Sequence, residues 1–172
     1  MLDYSPEKSH YIVVTGILVN SKGKYLITKR AGFEKAFPNM WTVPGGKLEV
    51  DDYKKREKDT SVHWYNVLED VLIREIKEEV GLNVKRKDIG YVTSLVYERD
   101  DGIPTLIVSL YAKVDVVEED NIKLCNALTE FAWVDLEEAK NYDLIEGIYE
   151  ELEILHKHLR GGELMEWRKN EL

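Results

Sequence analysis

The sequence contains a single cysteine, no long apolar run and no excess of basic residues. Because Cys125 is alone, the chain cannot form an internal disulfide, and a reducing compartment fits it. No apolar stretch approaches the length of a transmembrane helix, and residues 1–10 lack the apolar core of a secretory signal peptide. These absences predict a cytoplasmic protein with no membrane partner.

Acidic side chains outnumber basic ones, with 33 Asp and Glu residues against 24 Lys and Arg and a formal net charge of −9. A nucleic-acid-binding surface normally requires a basic patch, so we expect no nucleic-acid partner. A polyphosphate substrate is compatible with this balance, because bound metal ions would offset the negative charge locally.

Length and composition favour one globular domain over residues 1–172. Of the 172 residues, 44% are hydrophobic and 33% are charged, which is sufficient for a sizeable core. The sequence shows no internal repeat. Residues 163–172 follow a Gly-Gly pair and are predicted to form a loose tail.

Hydrophobic patterns predict five strands, two helices and one helical turn. Runs rich in Val, Ile and Leu favour strands at residues 11–20, 25–29, 89–97, 105–116 and 131–134. Apolar residues at helical spacing favour helices at residues 66–80 and 142–159, with a turn at 136–140. This order of elements predicts an α/β protein.

Three carboxylates share one face of the helix predicted for residues 66–80. On a helix, Glu75, Glu78 and Glu79 fall within an arc of about 100°. We expect them to face inward, because they project in nearly the same direction as four apolar residues, Val67, Leu68, Val71 and Leu72. Three anions this close repel one another unless a cation lies between them, and a hard divalent metal with oxygen ligands is the usual solution.

Together with the Gly45-Gly46 pair, this helix resembles the signature of the Nudix hydrolases. That signature is Gly, five residues, Glu, seven residues, Arg-Glu, an apolar residue, any residue, Glu-Glu, any residue, Gly and an apolar residue. Residues 74–82 match it completely, and Gly46 supplies its first glycine. Two departures remain: Asp52 replaces a glutamate, and 21 residues instead of seven separate Asp52 from Arg74.

We interpret the excess as a 14-residue insertion, residues 53–66, within the motif. Asn66 and Glu69 are spaced like a capping box, so we predict that the helix begins at Asn66. The insertion carries a basic run followed by aromatic residues. A loop beside an active site is a natural specificity element, and decoration is an equally good interpretation.

The resemblance implies an α/β/α sandwich with a mixed sheet and the hydrolysis of a diphosphate linkage in a nucleoside diphosphate derivative. It implies that Mg²⁺ or Mn²⁺ is held by the Gly46 carbonyl and by the carboxylates of Glu75, Glu78 and Glu79. Arg74 would orient a carboxylate, with Asp52 as its partner.

The general base has four candidates, which the resemblance leaves open. Two belong to the helix, Glu75 and Glu79. The other two, Glu98 and Glu130, lie in later segments, where an exposed acid without a catalytic role is at least as good an interpretation.

Substrate contacts are predicted for Arg30, Lys47, Trp64 and Tyr97. Arg30 ends a strand and can grip a phosphate through its planar guanidinium, and Lys47 follows the glycine pair. Trp64 can stack on a base or pack against the core, and Tyr97 can contact substrate or pack at a strand end.

Within the family we favour a nucleoside triphosphate pyrophosphatase. The alternatives are a hydrolase of ADP-ribose or nucleotide sugars and a hydrolase of dinucleoside polyphosphates. A non-catalytic nucleotide sensor is a further alternative, which the three intact glutamates disfavour. We expect a nucleotide as the small-molecule partner and allow for a homodimer.

Overall fold

Seven strands and four α-helices follow one another in the computed structural model, which describes residues 8–99, 102–115 and 121–163. The strands are β1 (Tyr11–Val19), β2 (Tyr25–Arg30), β3 (Trp41–Thr42), β4 (Gly45–Lys47), β5 (Ile89–Glu98), β6 (Pro104–Lys113) and β7 (Leu128–Val134). The helices are α1 (Asp51–Lys54), α2 (Val67–Val80), α3 (Leu136–Ala139) and α4 (Ile148–Leu159), and a 3-10 turn spans Arg86–Asp88.

The strands form one mixed sheet, as predicted. Its main order is β3-β2-β1-β6-β5, with β4 added beside β1 and β7 added beside β2. Strands β1 and β6 are parallel, and the other pairs are antiparallel. Strand β2 pairs with β1 at Val19, whereas β4 pairs with the same strand at Val13–Thr15. One edge of β1 therefore has two antiparallel neighbours, β4 at Val13–Thr15 and β2 at Val19.

Two hydrophobic clusters cover the two faces of the sheet. Alternate residues of a strand point to opposite faces, so Val14 and Leu18 of β1 pack with α2, while Ile17 and Val19 pack with α4. The sheet thus lies between α2 and α4, which confirms the predicted α/β/α sandwich.

The closing helix begins at Ile148, so the prediction that it starts at residue 142 is wrong. The backbone of the preceding segment is hydrogen-bonded to Trp41 instead: the Trp41 N–H donates to the Asp143 carbonyl, and the Ile145 N–H donates to the Trp41 carbonyl. Gly147, with φ of 93°, then turns the chain into the helix. The spacing of apolar residues alone cannot distinguish this hydrogen-bonded segment from a helical turn.

The capping box predicted at Asn66 does not form, although α2 does follow that residue directly. Asn66 has a left-handed backbone with φ of 55°, and its side chain makes no capping hydrogen bond. A capping side chain normally requires an extended backbone to reach the amides of the first turn. At the other end, Gly81 closes the helix in a left-handed conformation, with φ of 75°.

Parts of two predicted segments lie outside the described residues. These are residue 116, the expected end of a strand, and residues 164–172 of the expected tail. None of the helices in the described part of the chain has the length and apolar character needed to cross a bilayer.

The packing of α2 on β1 depends on Gly16. A Cβ atom at this position would lie 2.4 Å from Cδ1 of Leu72, which is fully buried. We expect Gly16→Ala to lower the free energy of unfolding by about 1–3 kcal/mol, because the core side chain must leave its packed position. Denaturant unfolding measures this cost. In a Leu72→Ala background the same change should cost less, and an equal cost in both backgrounds would contradict the explanation.

Candidate active site

Helix α2 places two of its three motif glutamates toward the interior. Val71, Leu72, Ile76 and Val80 form its buried stripe. The Glu75 side chain is only 12% exposed, and Glu79 is partly buried. The side chain of Glu78 is 59% exposed, so the inward direction predicted for all three glutamates holds for two of them.

The glycine pair lies in β4, where backbone and carboxylates approach each other closely. Gly46 pairs with Val14 of β1, and a Cβ atom on Gly46 would lie 2.0 Å from Oε1 of Glu75. The neighbouring Gly45 donates its N–H to Oε2 of Glu79 at 2.9 Å. The absence of two side chains therefore brings the backbone of β4 against the carboxylates of α2.

Arg74 forms the predicted contact with Asp52, through two parallel hydrogen bonds. Nε donates to Oδ1 at 2.6 Å and Nη2 donates to Oδ2 at 3.2 Å. Asp52 also accepts the Glu49 N–H at 2.7 Å. Burial acts to raise the pKa of Asp52, but the hydrogen bonds from Arg74 and Glu49 outweigh it and hold that pKa below its usual value. The side chain of Asp52 is shorter than that of the glutamate it replaces, but it reaches Arg74 because α1 places it beside the arginine.

The same guanidinium holds two motif glutamates. Nη1 of Arg74 lies 2.8 Å from Oε1 of Glu75 and 3.0 Å from Oε2 of Glu78. Nη2 also donates to the Lys47 carbonyl at 3.2 Å. Arg74 thus fixes the positions of three carboxylates relative to β4.

The site carries more negative charge than its own cations neutralise. Burial raises the pKa of Glu79 to about 7 against the opposing hydrogen bond from Gly45, and the charge of Glu75 adds to the rise. Burial also raises the pKa of Glu75, although Arg74 opposes it. A cation bound here would stabilise the ionised forms of both groups.

The donor set fits a hard divalent ion. The three carboxylates and the carbonyl of Gly46 offer oxygen atoms, which hard divalent ions prefer, and the missing side chain of Gly46 leaves its backbone beside Glu75. Within residues 8–99, 102–115 and 121–163, no three His, Cys, Asp or Glu side chains are grouped as a preformed metal site. Arg74 contributes the positive charge between Glu75 and Glu78 in this arrangement.

The other two candidates for the general base, Glu98 and Glu130, lie on strands and not on α2. Glu130 of β7 forms an ion pair with Lys29 of β2, with 2.7 Å between Nζ and Oε1. Glu98 is exposed at the end of β5, opposite Pro104. The structure therefore brings Glu75 and Glu79 to the glycine pair and places Glu98 and Glu130 elsewhere.

Arg30 lies close enough to the glutamates for its charge to lower the pKa of Glu79. Its guanidinium is held by the following loop: Nη2 pairs with Oε2 of Glu34 at 2.8 Å, and Nε donates to the Ala36 carbonyl at 2.8 Å. Sequence reasoning missed this loop arrangement, because a spacing of four residues indicates a contact only within a helix.

Two further substrate candidates contact aromatic rings. The ammonium of Lys47 lies 4.7 Å from the ring centre of Tyr11, at the start of β1. The ring of Tyr97, near the end of β5, lies 5.6 Å from the ring of Phe37. Phe37, which no sequence pattern distinguishes, has a left-handed backbone with φ of 51°.

The insertion folds mainly on itself. Trp64, which was predicted to contact the substrate, donates from Nε1 to the Arg56 carbonyl at 3.2 Å. The centre of its ring lies 5.2 Å from that of Tyr53. The ammonium of Lys58 lies 5.0 Å from the centre of the Trp64 ring. Arg56 also links the insertion to α2 through Asp70, with 3.5 Å between Nε and Oδ2. The contacts of Trp64 are thus internal to the insertion.

A cavity of about 550 Å³ opens on the face of the sheet that α4 covers. Its walls come from β5, β6, the start of α4 and the loop after β2. Sequence reasoning did not find it, because the residues that line it are distant in the chain: Phe37, Thr93, Ser94, Leu95, Val96, Tyr97, Ile107, Ile145, Glu146, Gly147, Glu150, Glu151 and Ile154.

A family model of the NUDIX domain matches residues 9–153. The chain therefore belongs to the Nudix family, and it is an enzyme of the pyrophosphohydrolase class, whose members generally use divalent metal ions. The nucleoside triphosphatase NudI of Klebsiella pneumoniae (strain 342) is 27% identical over 135 residues, covering 74% of this chain and 84% of that protein.

Solved Nudix structures share the fold. The MutT protein from Methanosarcina mazei Go1 has a TM-score of 0.66 and 22% identity, covering 91% of this chain and 99% of that one. The NUDIX domain of Shewanella oneidensis NrtR, complexed with ADP ribose, has a TM-score of 0.66 and 16% identity, covering 91% and 94%. The predicted family and fold are confirmed.

Asp52→Ala should weaken metal binding. Without Asp52, Arg74 loses its two-pronged partner, and Glu75 and Glu78 lose their fixed positions, so we expect metal affinity to fall about 10–100-fold. Titration with Mn²⁺, followed by electron paramagnetic resonance, measures the change. Asp51→Ala is the matched control, because Asp51 forms only an exposed pair with Lys55. Unchanged affinity in Asp52→Ala would contradict this role.

Replacing residues 53–65 with a short linker should change relative activities across a nucleotide panel and leave metal binding intact. The segment carries four basic residues, Lys54, Lys55, Arg56 and Lys58, whereas the residues predicted to bind the metal lie outside it. The panel is compared with Mn²⁺ affinity and with a denaturation curve of the shortened protein. A folded, metal-binding variant with an unchanged substrate profile would show that the insertion is decoration.

Proposed function

We propose that this protein is a magnesium-dependent nucleoside triphosphate pyrophosphatase. Water would attack a phosphorus of the triphosphate, the bridging anhydride bond would break, and a nucleoside monophosphate and pyrophosphate would leave. The observation that carries the proposal is the approach of Gly45 and Gly46 to Glu79 and Glu75, which gathers hard oxygen donors at one place. The similarity to a nucleoside triphosphatase supports this substrate class.

The contacts of each residue determine the role assigned to it. Glu75, Glu78, Glu79 and the Gly46 carbonyl would hold the ion, which neutralises the phosphate oxygens and lowers the pKa of bound water. Arg74 orients Glu75 and Glu78 without contacting the substrate.

The general base and the residues that bind phosphate are chosen from the groups near the glycine pair. We assign the general base to Glu79, because it lies at the glycine pair, where the Gly45 N–H fixes the position of its carboxylate. Lys47 and Arg30 would receive the phosphates beyond the attacked one. Glu130 is a weaker candidate for the general base than Glu79, because its carboxylate already forms an ion pair with Lys29.

Location and assembly remain predictions from the sequence: a cytoplasmic protein of one domain, with a homodimer allowed. Hydrolysis of ADP-ribose, nucleotide sugars or dinucleoside polyphosphates is the alternative within the family. An assay panel of the four common ribonucleoside and deoxyribonucleoside triphosphates, ADP-ribose and a diadenosine polyphosphate separates these choices by the products released.

Glu79→Gln and Glu78→Gln should each reduce hydrolysis on the order of a hundredfold or more. Each change removes an anionic ligand, which weakens both metal affinity and the activation of water. Pyrophosphate release with and without Mg²⁺ measures the effect. Glu69→Gln, on the same helix outside the site, is the matched control.

Glu98→Gln and Glu130→Gln complete this series. We expect both to keep most of the activity, since neither residue lies at the glycine pair. If one of them abolishes turnover while metal still binds, the base is that residue and not Glu79. Near wild-type turnover of both Glu79→Gln and Glu78→Gln on the true substrate would rule out the metal assignment.

A further inference from the structure

Strand β5 forms one edge of the sheet and is apolar for such a position. Among the described residues it pairs only with β6, so the backbone N–H and C=O groups on its other side have no strand partner there. Native proteins commonly protect a long edge with proline or charged residues, and residues 89–97 contain neither. An edge of ten residues with so little protection is a place where a further strand can add.

Three exposed residues of β5, Tyr91, Ser94 and Val96, lie on the face of the sheet that α2 covers. They pair with alternate residues of β6, and the partners of the first two pack in the cluster beneath α2: Leu110, Val108 and Leu106. The Tyr91 hydroxyl donates to Oγ of Ser94 at 3.3 Å, as neighbours on one face can. The register on β6 shifts between Tyr91 and Thr93, which makes a bulge at Val92 and turns that side chain toward α4.

Two antiparallel copies of β5 complement each other about Ser94. With Ser94 opposite itself, Thr93 lies opposite Leu95, and the bulge then places Tyr91 opposite Val96 on the same face of the sheet. By symmetry the pair of Tyr91 with Val96 occurs twice. An aromatic ring beside a β-branched side chain is a favourable cross-strand pair, so this register matches apolar side chains with one another.

The charges at the two ends of β5 favour a second copy of this chain as the partner. Antiparallel pairing brings the beginning of one strand beside the end of the other. Lys87, which is exposed in the turn before β5, then lies close to the diagonal from Glu98, which is exposed at the end of the strand. This contact also occurs twice, and the residues between its ends are uncharged. A protein with a net charge of −9 can therefore meet its own copy here without local repulsion.

We propose that two copies of this chain associate edge to edge through β5, with Ser94 on a two-fold axis, and form one continuous sheet. A two-fold contact uses the same surface of both copies, which the match of β5 to itself allows. It covers four large side chains with exposed fractions from 36% to 56%: Tyr91, Leu95, Val96 and Tyr97. With the strand backbone, the two copies together bury on the order of 800–1,000 Å² of surface, which is typical of a reversible complex.

Ser94 provides the test, because it is the residue that meets its own copy. Ser94→Lys places two ammonium groups at the axis and Ser94→Asp places two carboxylates there, so each variant should associate about tenfold more weakly or worse. An equimolar mixture of the two variants should recover association, since a lysine then lies opposite an aspartate. Sedimentation velocity of the full chain without nucleotide, at about 1–100 μM, measures the dimer fraction. Ser61→Lys, at an exposed position in the insertion, is the matched control.

The outcomes separate this interface from any other. A wild-type protein that stays monomeric throughout this concentration range would overturn the proposal. A dimer that persists in both Ser94 variants would also overturn it, because the contact would then lie on another surface. A mixture of the variants that associates no better than either alone would show that Ser94 does not lie on the axis. Circular dichroism of each variant checks the fold, which we expect to be unchanged because Ser94 is exposed.

Discussion

The close approach of β4 to α2 is the constraint on which the site depends. At Gly46 the Glu75 carboxylate occupies the place where a side chain would begin, and Gly45 is equally confined, because a Cβ atom there would lie 2.4 Å from the Val14 carbonyl. Strand pairing fixes β4 against β1, while the buried stripe of α2 fixes the helix against the same sheet. Two independent packing requirements therefore meet at the carboxylates, which leaves them little freedom to move.

Arg74 makes this arrangement tolerant of the insertion. Asp52 lies before the inserted segment and Arg74 lies after it, so their paired hydrogen bonds hold the two ends of the loop together. Closing a longer flexible loop costs little, about 0.6 kcal/mol for each doubling of its length. The extra residues can therefore be accommodated without any change in the geometry of the motif, and the contacts of Trp64 with Tyr53 and Lys58 order them further.

The predictable features were those that recur with a fixed spacing. Runs rich in Val, Ile and Leu identified the long strands, and the motif identified α2, Gly46 and the Asp52–Arg74 pair. The short strands β3 and β4 and the helix α1 were missed, since two to four residues carry no periodic signal. Residues 142–147 were assigned to a helix because backbone pairing with Trp41 leaves no trace in hydrophobic spacing. Contacts between distant segments, such as the hydrogen bond between Ser109 and Glu151, could not be predicted for the same reason.

The parallel pairing of β1 with β6 has a consequence for how the chain folds. Tyr11 must find Thr105, and Tyr25 must find Val134, so the central strands are completed only by partners from the far end of the chain. Non-local pairing of this kind slows folding, because loop closure is costly before any contact compensates for it. During synthesis, α2 leaves the ribosome before the sheet that covers its apolar stripe can be assembled. The nascent protein thus exposes that stripe for longer than a chain with local pairing would.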